Sequence, residues 1–305
     1  MKIHFIPEHK IDRKQWQQLS EMPNNNFLYN QSWYLDAITN RNWGALVDEN
    51  YTAALPLPYR KKFGIPYLFQ PFLTQQFSLL CHSKANQETL SAFIKKIPSR
   101  FLIANLSLNQ IPSKLNGFNY IERTNHILDL NKDYEQIASE YNRNTRRNIQ
   151  AAKAQELAVE WNLPFDDFLP LQIEWEPGNF TKPHKNILLN LWPLLQQHAE
   201  PFTVCVYFNS NPCAVGLFCR YGSRIYFMLC ASSSEGKDTK AMFLLIDRVI
   251  ERFSGSELLF DFTGSSIPDI ARRNVGFGAS TEIYFALQRS NLLQKTRDFL
   301  IKRLR

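Results

Sequence analysis

An α/β chain of two similar halves is the fold class the sequence predicts, and three observations predict it. Short apolar runs with strand periodicity alternate with amphipathic helical segments. Aromatic residues make up 13% of the 305 residues, with 23 Phe, which favours strands and deep side-chain clusters over a helical bundle. Two segments also recur in order at nearly one offset. ALVDENYTAALPLPYR (45–60) matches CVYFNSNPCAVGLFCR (205–220), 160 positions on: a strand, a polar turn, and a returning strand that ends in Arg. FLIANLSLNQIPSKLNGF (101–118) matches LLFDFTGSSIPDIARRNVGF (258–277): an apolar strand, a loop, Ile-Pro opening a short helix, and Gly-Phe closing it. Pro112 and Pro268 lie 156 positions apart, and Gly117 and Gly276 lie 159 apart. Recurrence at a fixed spacing is the mark of a duplicated unit. The junction falls near 130–140, giving an N-terminal unit over 1–130, a C-terminal unit over 131–290 that includes a linking basic helix, and a basic amphipathic helix over 291–305.

In the second unit, residues 202–208 (FTVCVYF) form a strand, Asn209 to Pro212 a turn, and 213–220 the returning strand. Tyr221-Gly222-Ser223 turns again into a third strand, 225–231. After the polar loop SSSEGKD, residues 239–253 read as a helix. Leu245, Ile246, Val249, Ile250 and Phe253 lie on one side and Asp247, Arg248, Glu251 and Arg252 on the other. Residues 257–262 form a strand. Pro268 suits the first turn of a helix and Gly276 its C-terminal cap, and 281–288 close as a strand. In the first unit, 43–48, 51–59, 66–73 and 101–108 read as strands and 86–97 as a helix.

Composition narrows the function classes. Hydrophobic residues at 44% and charged residues at 21% support a packed core. No run of about 18 apolar residues signals a transmembrane helix. The start, MKIHFIPEHK, lacks the layout of a signal peptide, so a cytoplasmic location is expected. The five cysteines form no CxxC pair, and four lie in apolar strand-like runs, where they read as buried thiols. The scattered histidines form no metal-ligand spacing, and no metal is expected. A net charge of +7 suits an anionic ligand: a phosphate-bearing small molecule, a nucleotide-linked substrate, a nucleic acid or a membrane surface.

Three segments can carry chemistry. The first is YNRNTRRNIQAAKAQ (141–155). On a helix, Ile137, Tyr141, Thr145, Ile149 and Ala152 share one face, and Arg143, Arg146, Arg147 and Gln150 the opposite one. Arginines bunched without acids make a forked receptor for phosphate or carboxylate, although a solvated helix face gives the same pattern. The second is the loop from Ser233 through Gly236, Lys237 and Asp238 to Thr239 and Lys240. A polar Gly-bearing loop that leads from a strand into a helix offers backbone N–H groups and a positive helix end to an anion. The third is Asp261 in the apolar run ELLFDF, where a carboxylate must be paired, hydrogen-bonded or functional. The tail SNLLQKTRDFLIKRLR is a basic amphipathic helix, suited to packing on the body or to a membrane surface or tRNA.

The order of these motifs resembles the GNAT acyltransferase fold. More specifically, YNRNTRRNIQAAKAQELAVE resembles the Fem-type segment that joins two GNAT-like halves. ELLFDFTGS followed by VGFGASTEIYFALQR is similar to that family's closing part, and FLYNQSWYLDA (27–37) to its opening. The resemblance implies two tandem GNAT-like units, each a mixed, mostly antiparallel sheet flanked by helices. It also implies transfer of an acyl (acetyl) or aminoacyl group to an amine, with a coenzyme A thioester or aminoacyl-tRNA as donor substrate and no tightly bound cofactor. Arg143, Arg146 or Arg147 would hold a phosphate, and Ser233 to Lys240 would face the donor. For the chemistry, Asp261 or Glu174 could act as base and Tyr226 as proton or hydrogen-bond donor, although a Tyr in an apolar strand is equally a core aromatic. The absence of a long heptad arm points to the shorter acetyltransferase-like relatives. Two other readings stand beside the transferase. One is a non-catalytic GNAT-like protein that binds an anionic ligand, lipid or RNA through the arginine helix. The other is a nucleic-acid binder, which would want an interleaved basic and aromatic stripe that the sequence lacks.

Overall fold

A computed structural model describes residues 2–83, 85–178, 180–264 and 267–289, and the tail expected to be helical over 291–305 lies outside them. The chain divides into two units. One holds Met1–Arg123 with the segment from Ile283, and the other holds Thr124–Glu282. The division is not sequential, since the closing strand belongs largely to the first unit.

In the first unit, β1 (Ile3–Pro7) is followed by α1 (Arg13–Ser20) and α2 (Ser32–Thr39), then β2 (Trp43–Asp48), β3 (Ala53–Lys62), β4 (Ile65–Leu68), β5 (Leu80–Cys81), α3 (Gln87–Lys95) and β6 (Ala104–Leu108). Antiparallel pairs join β1 to β2, β2 to β3, β3 to β4 and β3 to β5, while Leu68 pairs with Ala104 in parallel. Asp12 caps α1 by accepting from the amides of Lys14 and Gln15. Trp16 and Trp43 meet edge to face with centroids 5.1 Å apart. Their indole N–H groups donate to the Asn30 carbonyl at 3.0 Å and to Asp36 Oδ1 at 2.7 Å. The helix expected after Pro112 does not form: no helix spans 109–118, and Ile111 is exposed with no core face to bury.

β7 (Asn119–Asp129) leads into the second unit, which continues with α4 (Tyr134–Ser139), α5 (Arg143–Lys153), β8 (Ala158–Trp161), α6 (Phe165–Trp175), α7 (Lys182–His198), β9 (Glu200–Phe208), β10 (Asn211–Tyr221), β11 (Arg224–Ser232), α8 (Ser234–Asp238), α9 (Ala241–Phe253), β12 (Leu259–Asp261) and α10 (Pro268–Gly276). The sheet order is β7-β12-β11-β10-β9-β8, parallel only between β11 and β12. β13 (Ser280–Arg289) then carries the chain back to the first unit and pairs antiparallel with β6, Phe285 opposite Leu108. The core of the second unit is a column of rings. Phe218 stacks on Phe202 at 5.1 Å and on Phe227 at 4.6 Å, and Phe260 meets Phe262 edge to face at 4.7 Å. The apolar side of α9 packs into this cluster through Leu245, Ile246, Val249 and Ile250.

The helix expected over 239–253 forms as α9, two residues shorter at its start, and the segment before it, expected as a loop, winds into the short helix α8. Lys240 adopts a left-handed conformation (φ 61°) that stops α8 and starts α9 at Ala241. Asp247, expected on the polar side, is fully buried. Among the described residues, no helix is long and apolar enough to cross a membrane.

Candidate functional site

The sheet of the second unit opens between β11 and β12. β12 pairs with β11 only over Arg224–Tyr226 against Leu259–Asp261, whereas β11 runs on to Ser232. From Phe227 onward, β11 has no strand on its β12 side among the described residues. Thr263 Oγ1 donates to the Phe227 carbonyl and closes the mouth of the fork, and Gln172 of α6 reaches the Cys230 carbonyl at 3.5 Å. On the β10 side, the register shifts between Leu217 and Phe218, which face Leu229 and Phe227, so Met228 is an extra residue with no counterpart. Such a bulge takes one residue's backbone groups out of the ladder. Arg273 of α10 lies 6.0 Å from the Phe227 ring centroid, with Nε and Nη2 on Asn274 Oδ1 at 3.2 Å each. Burial pushes the Cys230 thiol up, with Arg273 beside it pulling the other way. The opening thus combines a free strand edge, a bulge and a guanidinium.

Asp261 and Tyr226 stand in register at the base of this fork, both buried. The carboxylate of Asp261 is fully engaged. Arg224 Nη1 donates to Oδ2 at 3.0 Å, and Asn125 Nδ2 and the Thr263 amide donate to Oδ1 at 2.9 and 3.0 Å. Burial pushes the carboxyl up, and Arg224 and these donors oppose it. The expectation that an acid in this strand must have partners is met, with the pairing reading as the geometry at hand. Glu174 is not brought to Asp261 and Tyr226. It lines a pocket of about 550 Å³ between α6 and α7 with Asp166, Lys185, Leu169, Ile173 and Leu189.

The residues from Ser233 to Lys240 fold back on themselves. Ser233 caps α8 by accepting from the Gly236 amide at 3.1 Å, and its own amide donates to the Cys213 carbonyl at 3.0 Å. Gly236 was expected to let a ligand approach. It instead lets β10 approach, because a Cβ there would lie far inside contact distance of the Cys213 carbonyl oxygen. Thr239 Oγ1 donates to the Glu235 carbonyl at 2.7 Å, and Lys240 Nζ to that of Lys237 at 3.1 Å. Lys237 and Asp238 are exposed on α8, and Glu235 puts negative charge in its first turn. The open amide cradle expected of this loop is therefore a short closed helix.

The arginines sit as the periodicity predicts. Ile137, Tyr141, Thr145, Ile149 and Ala152 are buried, and Arg143, Arg146 and Arg147 are exposed. Arg146 donates to the Ser139 carbonyl at 3.2 Å and Arg147 to Asn144 Oδ1 at 3.3 Å; among the described residues, none of the three has an ion pair. Among the described residues, no hydrogen bond joins them to residues 233–240. The N-terminus of α5 is instead fixed to α10, where the Asn142 amide donates to the Gly276 carbonyl at 2.9 Å.

Met228, Gln172 and Arg273 were not legible in the sequence. A bulge has no residue signature in MLC, and Gln172 lies 58 positions from the carbonyl it reaches. The helix that carries Gln172 and Glu174 did have a signal, with Asp166 and Asp167 in the first turn of α6, and so did its neighbour α7, opened by Thr181 and Pro183.

No family model matches the chain, and no curated protein matches it in sequence. Solved structures do match over nearly its whole length. FemX has a TM-score of 0.64 at 14% identity, covering 93% of this chain and 97% of that one. The C-terminal domain of a putative lysylphosphatidylglycerol synthetase from Agrobacterium fabrum has 0.58 at 10% identity, covering 95% of each chain. A tandem GNAT protein from the clavulanic acid biosynthesis pathway has 0.55 at 11% identity, covering 94% and 98%. At these identities the likeness is one of fold: the chain has the tandem GNAT-like, Fem-type architecture, two units of mixed, mostly antiparallel sheet flanked by helices.

Proposed function

We propose that the chain transfers an acyl or aminoacyl group to an amine, with the donor lying along the free edge of β11. The observation that carries this reading is the fork: β11 continues six residues past its last pair with β12 and is bulged at Met228. An extended donor arm with amide groups can add to such an edge as a strand, so that main-chain hydrogen bonds hold it in register. The neutral amine attacks the donor carbonyl carbon, the new C–N bond forms, and the bond to the thiol sulfur or ribose oxygen breaks. The amine's surplus proton passes to a base and the leaving group takes one up. An N–H released at the bulge donates to the oxygen that becomes negative, where a preset donor is worth most. Arg273 adds positive charge for an anionic donor. Asp261 holds Arg224 and Thr263 and so positions the fork, and Tyr226 stands at its base as hydrogen-bond donor. Glu174, exposed in the α6–α7 pocket and not at the base of the fork, suits the role of base for an amine that enters from that pocket. Its neighbour Asp166 makes the α6–α7 pocket suitable for a cationic acceptor.

The closed α8 favours a second reading. Glu235 in its first turn and Gly236 spent on packing speak against a phosphate cradle at residues 233–240. A non-catalytic protein that binds an anionic ligand through Arg143, Arg146 and Arg147 has that geometry. Titration calorimetry with acetyl-coenzyme A, and filter binding with aminoacyl-tRNA, separate the two. The transferase reading expects one donor to bind, and Arg273→Gln to weaken it about tenfold, the loss of one charge-assisted contact, without lowering the unfolding midpoint. Binding of neither donor, with an anion held only while the three arginines are intact, supports the second reading.

A further inference from the structure

The β3–β4 hairpin of the first unit projects beyond its sheet and carries a tip that packing does not explain. β2 pairs with β3 no further than Pro58, and β6 meets β4 only at Leu68, so the ribbon from Arg60 to Tyr67 pairs only with itself. Lys62 opposite Ile65 leaves Phe63 and Gly64 as a two-residue loop. Both have positive φ, 51° and 77°. That turn favours Asn-Gly at its two central positions, and a Phe in the left-handed region is strained. Phe63 gains no burial in return: it is 93% exposed, and Ile65 beside it is 50% exposed. A strained, solvent-facing Phe at the end of a free ribbon is placed for something outside the chain.

The surrounding charge says what that is. Arg60, Lys61 and Lys62 are exposed, and among the described residues none has an acidic partner. Between Glu49 and Glu88 the sequence holds no acid at all. Strand alternation puts Arg60, Lys62, Ile65 and Tyr67 on one face of the ribbon, with Arg60 over the Phe69 ring at 4.1 Å and Tyr67 6.4 Å from Phe69. Cations that ring an apolar tip, with aromatic rings behind it, suit the boundary of an anionic bilayer. The Phe and Ile enter the acyl region, the Lys and Arg meet the headgroups, and the Tyr lies at the interface. A nucleic acid fits less well, because stacking on bases needs a groove that tracks the backbone, and this tip is convex.

We propose that the hairpin tip Arg60–Ile65 is an anionic-lipid contact through which the chain docks on a membrane surface. The test is co-sedimentation of the full chain with vesicles of phosphatidylcholine alone and of phosphatidylcholine mixed with phosphatidylglycerol. Binding is expected on the mixed vesicles only and falls with added salt. Lys61→Gln and Lys62→Gln should each weaken it about fivefold, the usual share of one cation near an anionic surface. Phe63→Asn should weaken it at least about tenfold, the share of one inserted aromatic side chain. Asn suits the left-handed turn, so this variant should unfold at a midpoint no lower than the parent's, which separates loss of docking from loss of fold. The proposal is overturned if the parent ignores the mixed vesicles or Phe63→Asn binds them unchanged. It is also overturned if the same residues retain the chain on RNA and not on lipid.

Discussion

Asp247 shows how a single residue escapes a periodicity argument. Helical spacing groups it with Arg248, Glu251 and Arg252, which face outward, yet it is buried. Tyr134 Oη donates to Oδ1 at 2.8 Å, and Lys153 Nζ lies 3.5 Å from Oδ2. Tyr134 is 113 positions away, so nothing near Asp247 in the sequence announces it. Burial pushes the carboxyl above its ordinary 3.8, and the Tyr134 hydrogen bond and Lys153 counter only part of the shift. An acid with a raised folded-state value holds its proton more tightly when folded. Its contribution to stability is therefore full below 3.8 and is lost as the pH rises through the folded-state value. Asp247→Asn removes that titration. Denaturant unfolding at a series of pH values should show the parent losing stability relative to the variant as pH rises from about 4, then a constant gap. Parallel curves would mean that the carboxyl titrates as in the unfolded chain. Asp261 is the converse case: its need for partners was readable from the apolar run around it, but Arg224 and Asn125 were not.

At the scale of elements, periodic segments were readable and close approaches were not. The β9–β10–β11 meander and the body of α9 follow from alternation and from the apolar stripe of Leu245, Ile246, Val249 and Ile250. The first-half counterpart of α10 fails although it has the same Ile-Pro and Gly-Phe ends, because end signals stabilise a helix only where a face is buried. The loop after β11 misled for a different reason. Its Gly reads as room for a ligand, and only the fold shows that the room is filled by the Cys213 carbonyl. Gly236→Ala should destabilise the protein by about 1–3 kcal/mol, the usual cost of overpacking a site that must shift. Chemical denaturation checks this; an unchanged midpoint would mean that α8 moves away from β10 freely and can open toward a ligand.

At the scale of the whole molecule, periodicity and the recurring segments predicted an α/β chain of two halves; the fold class agrees, and the division into units runs differently, with the closing strand returning to the first. The return of β13 to the first unit was not readable, since a strand's pairing partner leaves no trace in its own residues. The site was readable only in outline. The sequence singled out Asp261, Tyr226 and the segment after β11, while the fork between β11 and β12 and the bulge at Met228 arise from pairing alone. The account rests on that fork as the seat of the donor. Amide hydrogen exchange of the full chain, with and without acetyl-coenzyme A or aminoacyl-tRNA, addresses it directly. Slower exchange across Phe227–Ser232 with one of these donors is the predicted result; exchange there unchanged by both, or protection confined to Arg143–Arg147, would contradict it.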